Sequence, residues 1–342
     1  MNFTKKHLCD LPRCYAVNSL VISGREYALV ATEDDGPCYA FTGDKLDERL
    51  TIWEHPGGTM SFVPLGNGSG EFLSITKFYR IYKWEEAEIS WAYPDGKGGF
   101  ALKSIVNLPY IHRFDVLETA CGAFFIGCTL AVKKDSVEDW STPGRIYVGR
   151  LDKEKREITD LRILKDDVWK NHGYLRQETK SGPRSLIGCR EGILAVTPPR
   201  GSGDGWTIEK IAGFPVSDLA LCDIDGDGED ELATIEPFHG CRFRIYKRSG
   251  DGWSRIYENP EICEFYHVIW GGTLGGVPAF IGGGRRGTRS IFAVSYENGS
   301  FVKHEIDSGV GPANVHIMNR ECGDVIISSN MEKGEAAAYF VD

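Results

Sequence analysis

The chain has 342 residues, of which 42% are hydrophobic and 26% are charged, and this composition is typical of a globular protein. The formal net charge of −10 argues against a nucleic-acid partner, because neutralising phosphates requires a basic face. No segment approaches the roughly 20 apolar residues that a membrane-spanning helix needs, so we expect no membrane association.

The first 14 residues, MNFTKKHLCDLPRC, contain a basic pair with no apolar stretch behind it, which is not the pattern of a secretory signal. The ten cysteines are scattered without a CxxC pair, so neither a zinc ribbon nor a thioredoxin-type site is expected. Most of them stand beside apolar residues, as buried free thiols do. We therefore expect the protein in a reducing compartment, the cytoplasm.

Short β-rich segments bounded by Gly, Asp, Asn or Pro run through the chain, and helical periodicity is almost absent. The clearest unit, residues 216–258, contains four predicted strands joined by tight turns, which is one blade of a β-propeller. The same template predicts seven units, which begin near Tyr15, Thr59, Ile111, His172, Val216, Tyr266 and Asn314. The third unit has the longest connection, residues 133–143, between its second and third strands.

The last unit contains only three predicted strands before the chain stops. A strand from the N-terminus, between Phe3 and Cys14, can complete it, close the ring and remove an exposed edge. The sequence therefore predicts an all-β fold: one seven-bladed propeller domain over residues 1–342, with four antiparallel strands in each blade.

Residues 223–232 read DIDGDGEDEL and place carboxylates at alternating positions around a glycine turn. A Ca²⁺ ion needs about six to eight oxygen ligands, which alternating side chains and one carbonyl can supply. An EF-hand is not expected, because strands flank the loop and no glutamate stands at the twelfth position. The predicted ligands are Asp223, Asp225, Asp227, the carbonyl of Glu229, and Glu231.

With this loop, the chain resembles the FG-GAP/VCBS repeat family, whose blades carry a DxDGDGxxD/E-L loop between the first and second strands. The resemblance is specific in residues 223–232 and architectural elsewhere, because the corresponding turns of other blades lack this set of carboxylates. It implies one structural Ca²⁺ that ties two strands together. A solvated acidic turn is the alternative, and neither reading makes the loop an active site.

Six of the eight histidines are predicted to face the same end of the ring. Five lie at or just before an innermost strand and one lies in a turn between second and third strands: His55, His112, His172, His267, His316 and His239. A single histidine of this kind is more often a hydrogen-bonded lining residue, but several around one opening favour chemistry. Two or three of them could hold a second divalent metal, since imidazole suits Zn, Mn or Fe.

Other polar and aromatic side chains are predicted at the same rim: Tyr79, Arg80, Glu236, Trp270, Arg285 and Arg286. The segment GGGRRG at 282–287 is not expected to bind phosphate, because no helix follows it. Paired arginines suit a carboxylate instead, or they only solubilise the surface.

These patterns predict a lyase or dehydratase that acts by β-elimination on an oxidised sugar, either a uronate or a keto-sugar. The predicted catalytic residues are His239, His267, His316 and His112. The predicted substrate-binding residues are Arg285, Arg286, His55, His172, Tyr79, Arg80, Glu236 and Trp270. A Ser-His-Asp hydrolase is disfavoured because no GxSxG motif is present. The alternative is a non-catalytic propeller that presents this rim to a glycan or a protein.

Overall fold

The computed structural model describes residues 1–66, 68–79 and 84–341. Within these ranges, 28 β-strands form seven four-stranded antiparallel sheets. The sheets are the blades of a seven-bladed β-propeller, and this confirms the predicted fold. The helical structure of the described ranges is a single 3₁₀ turn at Trp84–Glu86, and no helix there is long and apolar enough to cross a membrane.

The first four blades follow one another along the chain. Blade 1 consists of β2 (Cys14–Ile22), β3 (Arg25–Thr32), β4 (Cys38–Thr42) and β5 (Glu48–Trp53). Blade 2 consists of β6 (Phe62–Pro64), β7 (Phe72–Thr76), β8 (Glu88–Pro94) and β9 (Phe100–Asn107). Blade 3 consists of β10 (Ile111–Thr119), β11 (Gly122–Thr129), β12 (Gly144–Asp152) and β13 (Glu157–Val168). Blade 4 consists of β14 (Gly173–Thr179), β15 (Gly182–Cys189), β16 (Gly192–Thr197) and β17 (Thr207–Ala212).

The last three blades include the one that joins the two ends of the chain. Blade 5 consists of β18 (Asp218–Cys222), β19 (Glu231–Glu236), β20 (Arg242–Ser249) and β21 (Gly252–Glu258). Blade 6 consists of β22 (Tyr266–Leu274), β23 (Val277–Gly284), β24 (Ile291–Glu297) and β25 (Ser300–Asp307). Blade 7 consists of β26 (Val315–Met318), β27 (Val325–Asn330), β28 (Glu335–Val341) and β1 (Phe3–Asp10).

The N-terminal strand closes the ring, as the sequence predicts. Strand β1 pairs antiparallel with β28, from Phe3 opposite Val341 to Asp10 opposite Glu335. The innermost strands then contact one another around the whole circle, in the order β2, β6, β10, β14, β18, β22, β26 and back to β2.

The position of a strand within its blade explains its composition. The second strands β19 and β27 are buried at every residue, because other strands and neighbouring blades cover both of their faces. The fourth strands are more exposed, as in β17, where four of the six residues are exposed. Buried side chains of adjacent blades pack together between the sheets, as Phe243 of blade 5 does with Phe292 of blade 6 at 5.4 Å between ring centroids.

All ten cysteines lie in the described ranges and are free thiols, seven of them buried. The prediction that most cysteines are buried thiols is therefore confirmed.

Candidate active site

Three innermost strands carry a β-bulge at the residue that faces the end of the central channel. In β2, Tyr15 is the extra residue between the pairs Cys14–Thr32 and Ala16–Ala31. His112 is the extra residue in β10, and His267 is the extra residue in β22. A bulge turns a side chain out of the regular alternation of a strand. These three blades therefore direct their bulged side chains into one cavity.

Two further histidines reach this cavity from connecting segments. His172 lies just before β14, and its backbone N–H donates to the carbonyl of Gly188 at 3.3 Å. His239 lies in the turn between β19 and β20, where it adopts a left-handed conformation with φ of 48°. Its backbone N–H donates to the Ser217 hydroxyl at 3.1 Å, which fixes the turn.

The cavity has a volume of about 140 Å³ and combines polar and aromatic walls. The polar lining residues are Tyr15, Glu33, His112, Lys134, His172, His239, His267 and Arg285. The apolar lining residues are Met60, Phe78, Trp84, Leu130, Val137, Trp140 and Phe265.

His172 stands at the centre of the group of imidazoles. Its ring centroid lies 4.7 Å from that of His112, 4.9 Å from that of His239 and 5.3 Å from that of His267. One nitrogen from each of His172, His239 and His267 lies within 4.8 Å of the other two. Four histidines from separate parts of the chain therefore form one cluster.

Hydrogen bonds orient the rings beside Tyr15. Nδ1 of His267 lies 2.6 Å from the Ala313 carbonyl, which only accepts, so Nδ1 carries the proton and Nε2 offers a lone pair. The Tyr15 hydroxyl lies 3.4 Å from this Nε2 and 3.3 Å from Nε2 of His112. The Tyr15 hydroxyl thus lies within hydrogen-bond reach of ring nitrogens of two imidazoles from different blades.

Burial keeps these groups uncharged. It lowers the pKa of His239 to about 3 and lowers the pKa of His112, His172 and His267 well below its usual range. Nearby arginines lower the pKa of these imidazoles further. Burial raises the pKa of Tyr15, so the phenol keeps its proton. At neutral pH the cluster therefore consists of neutral imidazoles and a neutral phenol.

Two cations stand at the wall of the cavity. The Arg285 guanidinium pairs with Glu332 at 2.7 Å and lies 5.2 Å from the ring of Phe265. The Lys134 ammonium lies 3.4 Å from the centre of the Trp140 ring, and burial lowers its pKa to about 8. Cations beside aromatic faces suit a ring-shaped, negatively charged ligand.

Two predicted histidines lie outside the cavity. His316 is in β26, which pairs in regular register at this point, with His316 opposite Ile327. Without a bulge its ring turns to the neighbouring blade, where Nε2 lies 2.9 Å from the Ser19 hydroxyl. Burial lowers its pKa to about 4. His55 is exposed and lies 3.2 Å from Asp35.

The other predicted substrate-binding residues have varied surroundings. Tyr79 donates to Asp35 at 3.3 Å, near His55 and away from the cavity lining. Glu236 is buried within blade 5, where it pairs with Arg244 at 2.6 Å. Trp270 packs against the core between blades 6 and 7.

The remaining two residues of the predicted substrate-binding set are Arg286 and Arg80. Arg286 is exposed, 5.6 Å from the ring of Phe265. Arg80 lies outside the described residues.

Several lining residues were not predicted from the sequence, although the sequence contains a signal for Tyr15 and another for residues 133–143. Tyr15 occupies, in blade 1, the strand position that histidines occupy in blades 3 and 6. Lys134, Val137 and Trp140 all come from residues 133–143, the longest connection of the chain. An unusually long turn at the predicted rim is thus the signal that points to the cavity wall.

The acidic loop lies between β18 and β19, at the opposite end of the blade from His239. Oxygens of Asp223, Asp225 and Asp227 lie within 4.8 Å of one another. The side chain of Glu231 is fully buried, and its Oε2 accepts the Ile224 N–H at 3.1 Å. The backbone N–H of Glu229 donates to Asp227 at 3.0 Å.

These oxygens fit the ligand chemistry of Ca²⁺, but a protein cation already contacts them. The Lys247 ammonium pairs with Asp225, with Asp227 at 2.8 Å and with Glu231 at 3.0 Å. The hydrogen bonds that Lys247 donates to these carboxylates raise its pKa. A calcium ion would compete with this ammonium for the same carboxylates, so calcium binding at the loop stays a prediction.

No protein-family model and no curated protein sequence matches this chain. The FG-GAP/VCBS resemblance therefore stays a prediction as well. Solved structures match along the whole length. They include the β-propeller domain of Cps50 (Swd1) from Myceliophteria thermophila, with a TM-score of 0.61 and 10% identity over 99% of this chain and 100% of that chain.

Two further solved structures are similar to this chain over its whole length. Sqt1 from Saccharomyces cerevisiae matches with a TM-score of 0.60 and 8% identity over 100% of this chain and 98% of that chain. Virginiamycin B lyase from Staphylococcus aureus matches with a TM-score of 0.62 and 12% identity over 100% of this chain and 99% of that chain. At such identities the similarity shows the propeller fold alone, and function has to be argued from the site.

Proposed function

We propose that the cavity is the active site of a lyase or dehydratase that acts by β-elimination on an oxidised sugar, either a uronate or a keto-sugar. The observation that carries the proposal is the convergence of four neutral imidazoles and the Tyr15 phenol in one cavity. Elimination needs a base and an acid close together, and this set supplies both. That one of the similar propellers is named a lyase makes the reaction class compatible with the fold.

In this reaction a base removes the proton next to the carboxylate or carbonyl of the sugar. The electron pair of the broken C–H bond forms the new C=C bond, and the C–O bond at the β-carbon breaks. His112 or His267 is suited to accept the proton, because each has Nε2 beside the Tyr15 hydroxyl. Tyr15 then donates its proton to the leaving oxygen and regains one from the imidazole that took the substrate's proton.

Negative charge develops on the carboxylate or carbonyl oxygens as the substrate proton leaves. Arg285 and Lys134 would stabilise this charge, since both line the cavity and the buried setting strengthens the interaction. The aromatic rings of Trp140 and Phe265 would pack against the apolar face of the sugar.

The size of the cavity limits the substrate. Its volume of about 140 Å³ is smaller than that of most drug-sized ligand pockets, so it would hold one sugar unit. An oligosaccharide would place its terminal unit inside and its remaining units along the rim, where the exposed Arg286 lies.

A non-catalytic glycan- or protein-binding propeller is the second candidate. The observation in its favour is that Arg285 and Arg286 both lie over the ring of Phe265, which is a surface able to bind without chemistry. The need for Tyr15 distinguishes the two candidates. Elimination requires this residue for proton transfer, whereas a rim that only binds a ligand does not.

The test is incubation of the protein with a panel of uronides and keto-glycosides, followed by ultraviolet absorbance of the unsaturated product. We expect product with the wild type, and a rate lower by about 100-fold or more for Tyr15→Phe and His112→Gln. His316→Gln is the matched control, because this histidine is partly buried on an innermost strand but lies outside the cavity lining. Binding without product across the panel, or an equal loss of rate in the control, would contradict the proposal.

A further inference from the structure

We propose that His172, His239 and His267 form a binding centre for a divalent transition metal such as Zn²⁺. One nitrogen of each ring lies within 4.8 Å of the other two, so a single ion between them could contact all three. The inference goes beyond the proposed reaction, because metal binding can be measured without any substrate. With Nε2 of His267 on the metal, His112 is the imidazole that accepts the substrate's proton.

The orientation of His267 is that of a typical metal ligand. Its Nδ1–H donates to the Ala313 carbonyl at 2.6 Å, which fixes the tautomer and leaves the lone pair of Nε2 directed away from the backbone. Metal-binding histidines in proteins usually donate their second ring nitrogen to a carbonyl or carboxylate in this manner. His267 thus has the supporting hydrogen bond that a ligand requires.

His172 has a nitrogen that lacks a partner. Its side chain is 2% exposed, and within the described residues its Nδ1 is buried without a hydrogen bond. A buried polar atom without a partner costs about 1–3 kcal/mol. Coordination through Nδ1 would remove this cost, and the ring centroids of His239 and His267 lie 4.9 Å and 5.3 Å from that of His172.

The donor set indicates the class of metal. Three imidazoles suit zinc and its neighbours in the first transition row, whereas Ca²⁺ and Mg²⁺ require oxygen ligands. A three-histidine set also leaves one coordination position open for water or substrate, as catalytic zinc sites do.

The charges around the cluster do not prevent this assignment. Arg285 is close to His239 and His267 and repels a cation, but its charge is balanced by the ion pair with Glu332 at 2.7 Å. The rings of Phe238 and Phe265 cover His239, with centroids 3.9 Å and 4.6 Å from its own. An apolar surrounding of this kind excludes bulk water from a metal site.

The experiment titrates the metal-stripped, full-length protein with Co²⁺ and Zn²⁺. We expect one equivalent to bind and Co²⁺ to give the intense visible absorption of a four-coordinate imidazole site. His239→Asn is the first variant, because asparagine tolerates the left-handed backbone of residue 239, and it should weaken binding by about 100-fold or more. His172→Gln is the second variant, in case the first does not fold.

Two controls distinguish the histidine centre from ions bound elsewhere on the protein. His316→Gln should bind as the wild type does, and Asp225→Asn should remove only ions held by the acidic loop, whose oxygen ligands give weak visible absorption. The proposal would be overturned if both histidine variants bind Co²⁺ as the wild type does. It would also be overturned if Asp225→Asn removes all of the Co²⁺ binding. Metal binding without elimination would contradict the proposed reaction alone, and elimination by metal-free protein without Co²⁺ binding would contradict the metal centre alone.

Discussion

At the residue scale, the positions of the histidines show what the sequence could reveal about the site. Counting strands placed His112, His172, His239 and His267 at one end of the ring, and these four do line one cavity. The same reasoning included His316, which the structure places against Ser19 of the next blade. The difference is a bulge present in β10 and β22 and absent at His316 in β26. These bulges lie at the second residue of their strands, so almost no alternation precedes them that they could interrupt, and a single sequence does not reveal them.

The run of glycines before Arg285 has a packing role. A Cβ atom added to Gly284 would lie 2.1 Å from Sγ of Cys263, and one added to Gly282 would lie 2.5 Å from the ring of Phe292. These glycines are thus required by close contacts with Phe292 of blade 6 and with Cys263 in the connection before that blade, in line with the expectation that the segment is not a phosphate loop.

This contact gives a prediction for Gly284→Ala. We expect a loss of about 2 kcal/mol in the free energy of unfolding, measured with urea, because the new methyl group overlaps the Cys263 thiol. In a Cys263→Ala background the loss should be clearly smaller, since the overlapping atom is gone. Gly205→Ala is the control, because a Cβ atom at Gly205 meets no atom within 4 Å. Equal losses in the two backgrounds would show that the contact with Cys263 is not the cause.

At the element scale, Lys247 pairs with carboxylates of the acidic loop, and Lys5 forms ion pairs that hold the strand that closes the ring. The sequence predicted the loop between β18 and β19, because its spacing of carboxylates and glycines is local. It did not predict that Lys247 of β20 would lie among the carboxylates, since that contact depends on the pairing of separate strands.

The competition between Lys247 and calcium predicts the effect of Lys247→Met. We expect this variant to bind Ca²⁺ at least about 10-fold more tightly than the wild type in titration calorimetry, because no cation has to be displaced. With EDTA present it should unfold at a lower temperature than the wild type, since Asp225, Asp227 and Glu231 then repel one another. Lys303→Met is the control, because Lys303 pairs with Glu261 away from the loop. The same calcium affinity in both proteins would rule out competition.

The closing strand β1 is held by an ion-pair network as well as by its backbone. Lys5 pairs with Asp307 and with Glu335, each at 2.7 Å. Burial alone would raise the pKa of Glu335, but hydrogen bonds from Lys5 and Asn330 outweigh burial and lower the pKa to about 2. Glu335 therefore stabilises the fold above its unfolded pKa of 4.5, and this stabilisation is lost as the pH falls from 4.5 towards 2.

The prediction is that Lys5→Met destabilises the protein by about 2 kcal/mol at pH 7, since it removes charge-assisted hydrogen bonds from a largely buried carboxylate. The difference from the wild type should shrink as the pH falls from 4.5 through 2, and below 2 Glu335 is mostly protonated in both proteins. Urea unfolding at a series of pH values measures this. Lys6→Met is the control, because its partner Asp47 is exposed and the pair should contribute about 0.5 kcal/mol. A difference for Lys5→Met that does not change with pH would contradict the role of Glu335.

At the scale of the whole molecule, the propeller could be predicted because the same pattern of short strands and turns repeats along the chain. Each blade needs four short strands and tight turns, and an outer strand missing at the end of the chain has to come from its beginning, as β1 does. The cavity could be predicted only in part. Its walls come from long-range neighbours such as Trp140 of blade 3 beside Phe238 of blade 5, with ring centroids 4.6 Å apart. Contacts of this kind depend on the closed ring, and no local pattern encodes them.

The closed ring also explains why one cavity collects groups from so many blades. Tyr15, His112, His172, His239 and His267 come from blades 1, 3, 4, 5 and 6. Each of these five blades contributes one member of this set of imidazoles and phenol, so chemistry depends on all of them being held in place together.

The most direct test is a crystal structure of Tyr15→Phe grown with a uronide substrate, since this variant should bind the sugar without eliminating. We predict one sugar unit in the cavity, with its carboxylate beside Arg285 and Lys134 and its acidic carbon next to His112 or His267. A sugar bound elsewhere on the ring, with none of these histidines in contact, would contradict the assignment of this cavity as the active site.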